Sequence, residues 1–322
     1  MPHHELARET PQEDEARVTA AFIAFLQAAS AKRHPTGPMP RFNQGRASGC
    51  VEAEFSVLPD LAPECRVGLF AQTRTYPAWI RFANATSASD RDKDVRGMSI
   101  QVAGVEGENL TPGATTQDFI LNSHPVMMVP GPREFLDLLQ AVEAGGLRRI
   151  LYFVRNPGAA RVAMASRQRP SSHLDIPYWS TTPYLFGPGR AVKYIVRPTA
   201  GPGGRVPATP TDHYLREALT GHLARAEASF DFLIQFQVDG GSMPIEDASV
   251  EWQEADSPYR PVARIRIPQQ DVAGAAREAA CEQVAFNPWH ALTDHRPLGG
   301  FNRARRDIYR AMARFRQERS TR

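Results

Sequence analysis

Between Pro11 and Pro35, the residues Val18, Phe22, Phe25, Leu26 and Ala29 recur at three- and four-residue spacings. That spacing puts them on one face and predicts an N-terminal helix over 13–33. Further along, short runs at Ala78–Ala83, Met98–Val102, Phe119–Leu121, Ala191–Val196, Phe232–Val238 and Ala263–Ile267 have β character, and several alternate apolar with polar positions as half-buried strands do. Helices are predicted over 133–144, opened by Pro132 and closed by Gly145, and over 214–229, while the Pro/Gly-rich stretches 155–190 and 198–212 read as long loops. A last helix is predicted over Asn302–Arg322. No internal repeat and no clear interdomain linker interrupts the pattern. The economical architecture is α+β, an antiparallel barrel or sheet with surrounding helices, in which residues 1–36 form an N-terminal arm and helix and 37–322 one larger domain.

Composition narrows the function classes. A chain of 322 residues with 42% hydrophobic side chains has ample material for a continuous core, and 38 basic against 35 acidic residues give a net charge of +3. Neither global disorder nor a surface that seeks polyanions follows from that balance, so no nucleic-acid partner is expected. No run approaches the roughly 18 apolar residues of a membrane span, and the start, MPHHELARETPQEDE, lacks the apolar segment of a signal peptide. A cytoplasmic location is expected. Cys50, Cys65 and Cys281 are odd in number and far apart, which argues against a disulfide framework or a cysteine zinc site and suits a reducing compartment.

The chemistry concentrates at the C-terminus, where eight arginines fall in the last twenty residues. At about 100° per residue, Arg305, Tyr309, Met312 and Arg316 share an arc of roughly 60°, beside Ile308. Arginines on a partly apolar face need anionic partners. One is Tyr309 itself as a phenolate, favoured by Arg305 one turn away, and a tyrosinate is a haem ligand. A solvated amphipathic helix with snorkelling arginines produces the same pattern, and a nucleic-acid arm is a third reading.

Read with other segments, this helix resembles the catalase superfamily over about residues 40–316. EQVAFNP, Glu282–Pro288, and RRDIY, Arg305–Tyr309, are similar to the family's EQxAFxP segment and its RxxxY motif, which ligates haem iron through tyrosine. Arg316, seven residues after Tyr309, falls on a propionate-binding arginine. WIRFA, Trp79–Ala83, followed by DVRGM, Asp94–Met98, resembles the RFS…RDPRG segment, whose first arginine, here Arg81, also holds a propionate. DFILNSHPV, Asp118–Val126, resembles the segment carrying the distal asparagine, here Asn122, and Phe135 matches an aromatic that packs on the porphyrin.

One departure stands against these agreements. Where the family has a distal histidine in RxxHAKG, this chain has RFNQGRA, Arg41–Ala47, so Gln44 replaces the histidine while Arg41 keeps a propionate arginine. Aligning on Phe55 instead puts Gly45 there, and neither register supplies an imidazole. Ala83 stands where the family has the serine that hydrogen-bonds that ring. Heterolysis of a peroxide needs a group that accepts a proton from one oxygen and returns it to the other, which imidazole does and an amide cannot. Losing a positioned acid/base costs roughly 10²–10⁴ in rate. His124, two residues after Asn122, substitutes only if Pro125 leaves strand alternation intact. Ala85, at the place of a channel valine, and Met127 with Met128, in place of a phenylalanine pair, imply a wider or softer pocket; ordinary core methionines give the same pattern.

The resemblance therefore implies a catalase-like barrel in which 37–322 binds one haem b (iron protoporphyrin IX). Tyr309 would be the iron ligand, Arg305, Arg41, Arg81, Arg316 and Phe135 the cofactor-binding residues, and Asn122 with Gln44 the oxygen side. The implied activity is that of a haem oxidoreductase, peroxidase or hydroperoxide rearrangement, acting on organic hydroperoxides in preference to efficient hydrogen peroxide dismutation. A non-catalytic haem-binding or sensor protein and a haem-free scaffold are the alternatives, and a homodimer is possible. Other candidates carry less. Cys50 reads as a small buried thiol, His290 and His295 with Asp294 have a spacing that suits neither a helical nor a strand metal site, His3 and His4 form no tract, and the GPGR and GPGG runs at 187–190 and 201–204 are turns rather than phosphate loops.

Overall fold

A computed structural model of the chain describes residues 5–37, 39–201 and 203–320. His3, His4, Pro202 and the last two residues of the predicted C-terminal helix lie outside the described residues.

Nine strands build one antiparallel sheet: β1 (Ala47–Val57), β2 (Thr75–Asn84), β3 (Arg96–Ala103), β4 (Thr116–Asn122), β5 (Tyr178–Trp179), β6 (Tyr184–Leu185), β7 (Ala191–Pro198), β8 (Ala228–Phe236) and β9 (Arg260–Ile267). Their order is β5-β4-β3-β2-β1-β9-β8-β7-β6, and β5 also pairs with β7, so eight strands close into a ring and β6 hangs from β7. Closure leaves the ring without a free edge, and alternation turns every second side chain inward. Phe55, Phe119, Tyr194 and Phe232 meet inside it with Phe70 and Phe186, at centroid separations between 4.8 and 6.2 Å.

Seven helices surround this ring: α1 (Glu15–Arg33), α2 (Pro132–Ala144), α3 (Gly146–Arg155), α4 (Pro157–Ala165), α5 (Tyr214–Leu223), α6 (Ala275–Gln283) and α7 (Gly300–Ser320). Phe22 and Leu26 of α1 pack with Leu136 of α2, and Ile308 and Met312 of α7 lie against them. Arg303 ties the start of α7 to the rest of the chain, donating to Glu15 (2.9 Å) and Glu246 (2.8 Å) and pairing with Glu9. Burial alone would lower the Arg303 pKa, but these carboxylates raise it well above its ordinary value.

Several expectations need correction. The helix expected to 229 ends at Leu223, because β8 starts at Ala228 and pairs with β7 and β9. The stretch 155–190, expected as loop, contains α4 and the short strands β5 and β6. Strand β1 and helices α3 and α6 were not predicted at all. Cys50 is not a thiol: it forms a disulfide with Cys281, Cα–Cα 5.8 Å, across 231 residues, and leaves Cys65 as the buried free cysteine. The bond removes the support that cysteine usage lent to a reducing compartment. Among the described residues no helix is long and apolar enough to cross a membrane.

Candidate functional site

The expected residues fall into separate groups: Gln44, Asn122, Arg41 and Arg81 lie over β1 to β4, Arg305 and Tyr309 lie on α7 near Thr182 and Tyr184, and Phe135 lies in an apolar layer with Phe22 and Phe301. On β2, Ile80 and Phe82 point into the core, so Arg81 and Ala83 point out. Ala83 lies opposite Gly97 of β3, and Gly97 opposite Asn122 at the end of β4, which aligns the three in one row on one face. The smallness of Ala83 and Gly97 leaves room above the row, and the Gln44 amide fills it. A Cβ added at Gly97 would overlap that amide. Gln44 donates from Nε2 to Asn122 Oδ1 at 3.4 Å. Its backbone sits at φ +54°, the left-handed region, held by its N–H donating to the Ala85 carbonyl at 2.8 Å. Of the two registers, it is thus Gln44 rather than Gly45 whose side chain meets Asn122.

A second group lies beside the first. The Arg81 side chain is almost fully buried and donates from Nη2 to the Gln44 carbonyl at 2.8 Å, which couples the arginine to the loop bearing the amide. Arg41 donates from Nη1 to Glu282 Oε2 (2.7 Å) and from Nη2 to the Val284 carbonyl (3.0 Å). The other Glu282 oxygen stands 3.8 Å from Arg81. Burial first, and then the charges of Arg41 and Arg316, push the Arg81 pKa down to about 10, with Glu282 opposing. Burial and Arg41 likewise lower that of half-buried Arg316. Arg41 from the loop before β1 and Arg81 from β2 therefore share the Glu282 carboxylate, the charge of Arg316 on α7 bears on Arg81, and Arg81 Nε has no hydrogen-bond partner. Glu282 owes its place to the disulfide: Cys50 lies opposite Arg81 in the β1–β2 register, and Cys281 immediately precedes Glu282.

The third group is on α7. Arg305 donates from Nη1 to Thr182 Oγ1 and to Asn302 Oδ1, each at 3.2 Å, and Asn302 is fixed in turn by the Pro183 carbonyl at 2.9 Å. Tyr309, one turn on, is half-buried. Both Arg305 and Tyr309 act on the phenol of Tyr184, which burial pushes up to about 12 despite Arg305. Thr181, next to Thr182, has φ +59°, a conformation that costs a β-branched residue energy and that the buried surroundings must enforce.

The remaining candidates are accounted for. Phe135 packs against Phe22 (6.0 Å) and Phe301 (5.6 Å), joining the apolar layer that contains Met127 and Met128. β4 ends at Asn122, so strand alternation does not carry to half-buried His124, whose pKa burial lowers. His290 bonds to buried Asp118 at 3.0 Å, and buried His295 accepts from the Leu69 N–H at 3.1 Å. Among the described residues no group of three His, Cys, Asp or Glu side chains could hold a metal ion. Sequence reasoning missed Thr182, Asn302 and the ion-pairing role of Glu282. Only Asn302, three residues before Arg305 on a helix, left a local signal.

This architecture recurs in solved structures. A fungal catalase superposes with a TM-score of 0.70 over 98% of this chain, at 15% identity. The fold is that of the catalases. A bacterial catalase matches with a TM-score of 0.69 over 91% of this chain at 16% identity, and catalase A from Saccharomyces cerevisiae with 0.71 over 98% at 16%. The chain spans 65%, 60% and 67% of the length of these three catalases. No protein-family model matches the sequence. No curated protein matches it either.

Proposed function

We propose that this catalase-fold chain binds haem b through Tyr309 and processes organic hydroperoxides in preference to dismuting hydrogen peroxide. The observation that carries the reading is the grouping of Arg41 and Arg81 at the Glu282 carboxylate, with the charge of Arg316 near enough to bear on Arg81 and with buried Arg81 Nε left unpartnered. A buried guanidinium with an unpartnered N–H is costly unless an anion joins it, and a propionate is such an anion. The donor set fits haem: phenol oxygen on α7, arginines at the rim, and Phe135 in an apolar layer.

Bound ferric haem supplies a Lewis-acidic, redox-active iron at which a peroxide O–O bond is cleaved. The chain's own contribution is to hold and orient. Arg41, Arg81 and Arg316 would neutralise the carboxylates, and Arg305, positioned by Thr182 and Asn302, would stand one helical turn before the Tyr309 ligand. Asn122 and Gln44 would donate amide hydrogens to a peroxide oxygen. Neither amide takes up or releases a proton near neutral pH, so the pair orients and polarises the substrate without carrying its proton from one oxygen to the other. Half-buried Met127 and Met128 give the adjoining layer a deformable surface suited to an alkyl chain.

Steady-state assays of haem-loaded protein test the reading. With a fatty-acid hydroperoxide or cumene hydroperoxide, kcat/KM should exceed that for hydrogen peroxide at least tenfold. If neither peroxide is consumed faster than by an equal amount of free haem, the chain is a non-catalytic haem-binding protein or a scaffold.

A further inference from the structure

Helices α3 and α4 follow Gly145 and present a face that no described residue covers. On α3, Leu147, Ile150, Leu151 and Val154 fall within an arc of about 100°, and Leu147, Ile150 and Val154 are 69%, 57% and 70% exposed. Exposed Val142 on α2 and Met164 on α4 extend the patch. The opposite side of α3 is anchored, since Tyr152 and Phe153 pack into the apolar layer with Phe135 and Met127. An apolar helix face turned outward while the half-buried aromatic residues of the same helix pack against the molecule marks an interaction surface rather than a misplaced core.

Charge identifies the occupant. From 144 to 174 the chain has six arginines, Arg148, Arg149, Arg155, Arg161, Arg167 and Arg169, and no aspartate or glutamate. Arg148 and Arg155 border one edge of the apolar stripe on α3, and Arg148, Arg149, Arg155 and Arg161 are exposed. A second copy meeting this face across a two-fold axis would bring like charges together, which disfavours a homodimer here. An apolar stripe rimmed by arginines matches a bilayer interface, where the stripe enters the acyl boundary and the arginines meet anionic headgroups.

We propose that the α3–α4 face docks the protein peripherally on an anionic lipid membrane. The surface lies on the far side of the layer that holds Phe135, Met127 and Met128, so docking would bring the candidate pocket close to lipid. The docking itself does not depend on the haem reading and is measurable whether or not haem is bound.

Vesicle co-sedimentation of the full chain tests it, with phosphatidylcholine vesicles containing 30% phosphatidylglycerol and with pure phosphatidylcholine vesicles. Binding to the anionic vesicles should be at least tenfold tighter than to the neutral ones and should weaken at least tenfold when salt rises from 50 to 500 mM. The triple variant Leu147→Glu, Ile150→Glu, Val154→Glu should lose that binding while keeping the wild-type circular dichroism spectrum, because all three side chains are exposed. The control Arg264→Glu, on the distant β9, should bind as the wild type does. Wild-type protein that stays in the supernatant with anionic vesicles overturns the proposal. So does an equal loss in the Arg264→Glu control, or a wild-type dimer in sedimentation velocity that the triple variant converts to monomer.

Discussion

Among the candidate site residues, Arg305 on α7 and the Arg41–Glu282 pair are charged groups tied into the fold, whereas Gln44 and Asn122 are neutral amides. Arg305 is held by Thr182 and Asn302, Arg41 by Glu282 and Val284, and Glu282 by a disulfide one residue away. Gln44 and Asn122 meet through one 3.4 Å contact above the gap left by Ala83 and Gly97. On the proposed reading, the difference teaches that the two halves of a peroxide site are separable: groups suited to hold an anionic macrocycle would stand beside groups that only donate hydrogen bonds and carry no proton.

Acid gives the largest way to break that contrast. The bulge between Ala47 and Gly49, beside Ala83, places Ser48 Oγ 2.8 Å from His173, so the amide side rests on this histidine. Burial pushes the His173 pKa down to about 3 and that of His295 down to about 4. The unfolded chain protonates its histidines near pH 6.5 and the folded chain resists, so stability is full above that pH and falls as pH drops towards 4. The loss is about 1.4 kcal/mol per pH unit for each histidine. Urea unfolding should show a loss of roughly 4 kcal/mol between pH 7.5 and 5; a flat profile would mean that these rings are not held neutral.

The charged side should respond next, to loss of its staple. Cys281→Ser should cost about 2–4 kcal/mol of stability and release Glu282 from Arg41, read as a lower unfolding midpoint under non-reducing conditions. An unchanged midpoint would remove the disulfide from the account. Converting the amide side comes third: Gln44→His with Ala83→Ser should raise hydrogen peroxide dismutation about 10²-fold, because imidazole would then stand over Gly97 with a hydroxyl in the same row. No gain in oxygen evolution would show that this row does not face the reacting peroxide. The smallest effect is expected for Arg81→Leu, which removes one guanidinium of three and should lower haem affinity about tenfold, the weight of one charge-assisted hydrogen bond. Titration with hemin measures it, and unaltered affinity would detach the arginine cluster from haem.

Part of the ring was legible because alternation marks a strand with one wet or polar face, as in Ala263–Ile267. Strand β1 was not, since its first half, Ala47–Val51, is covered on both faces and shows no alternation. Helix α3 has the right period, but Gly145 before it, Gly146 at its start and Pro157 and Gly158 after it read as loop punctuation. Helix α5 ends at Leu223 with no glycine or proline to announce the stop; competition from the β8 ladder ends it. In the candidate site, the motif residues Arg41, Arg81, Gln44, Asn122 and Arg305 could be named from the resemblance of their segments to the catalase superfamily. Their partners could not, because Glu282 is 241 residues from Arg41 and Thr182 is 123 from Arg305, and only the folded ring brings them within reach. The disulfide was hidden by parity: three cysteines make one bond and one buried thiol.

Absorption spectroscopy of the protein expressed with haem supplied tests the central claim most directly. The account predicts a Soret band with the features of a high-spin ferric haem bound by tyrosinate in the wild type, and its loss in Tyr309→Phe. A wild type that purifies without pigment, or a Tyr309→Phe variant with an unaltered spectrum, would contradict it.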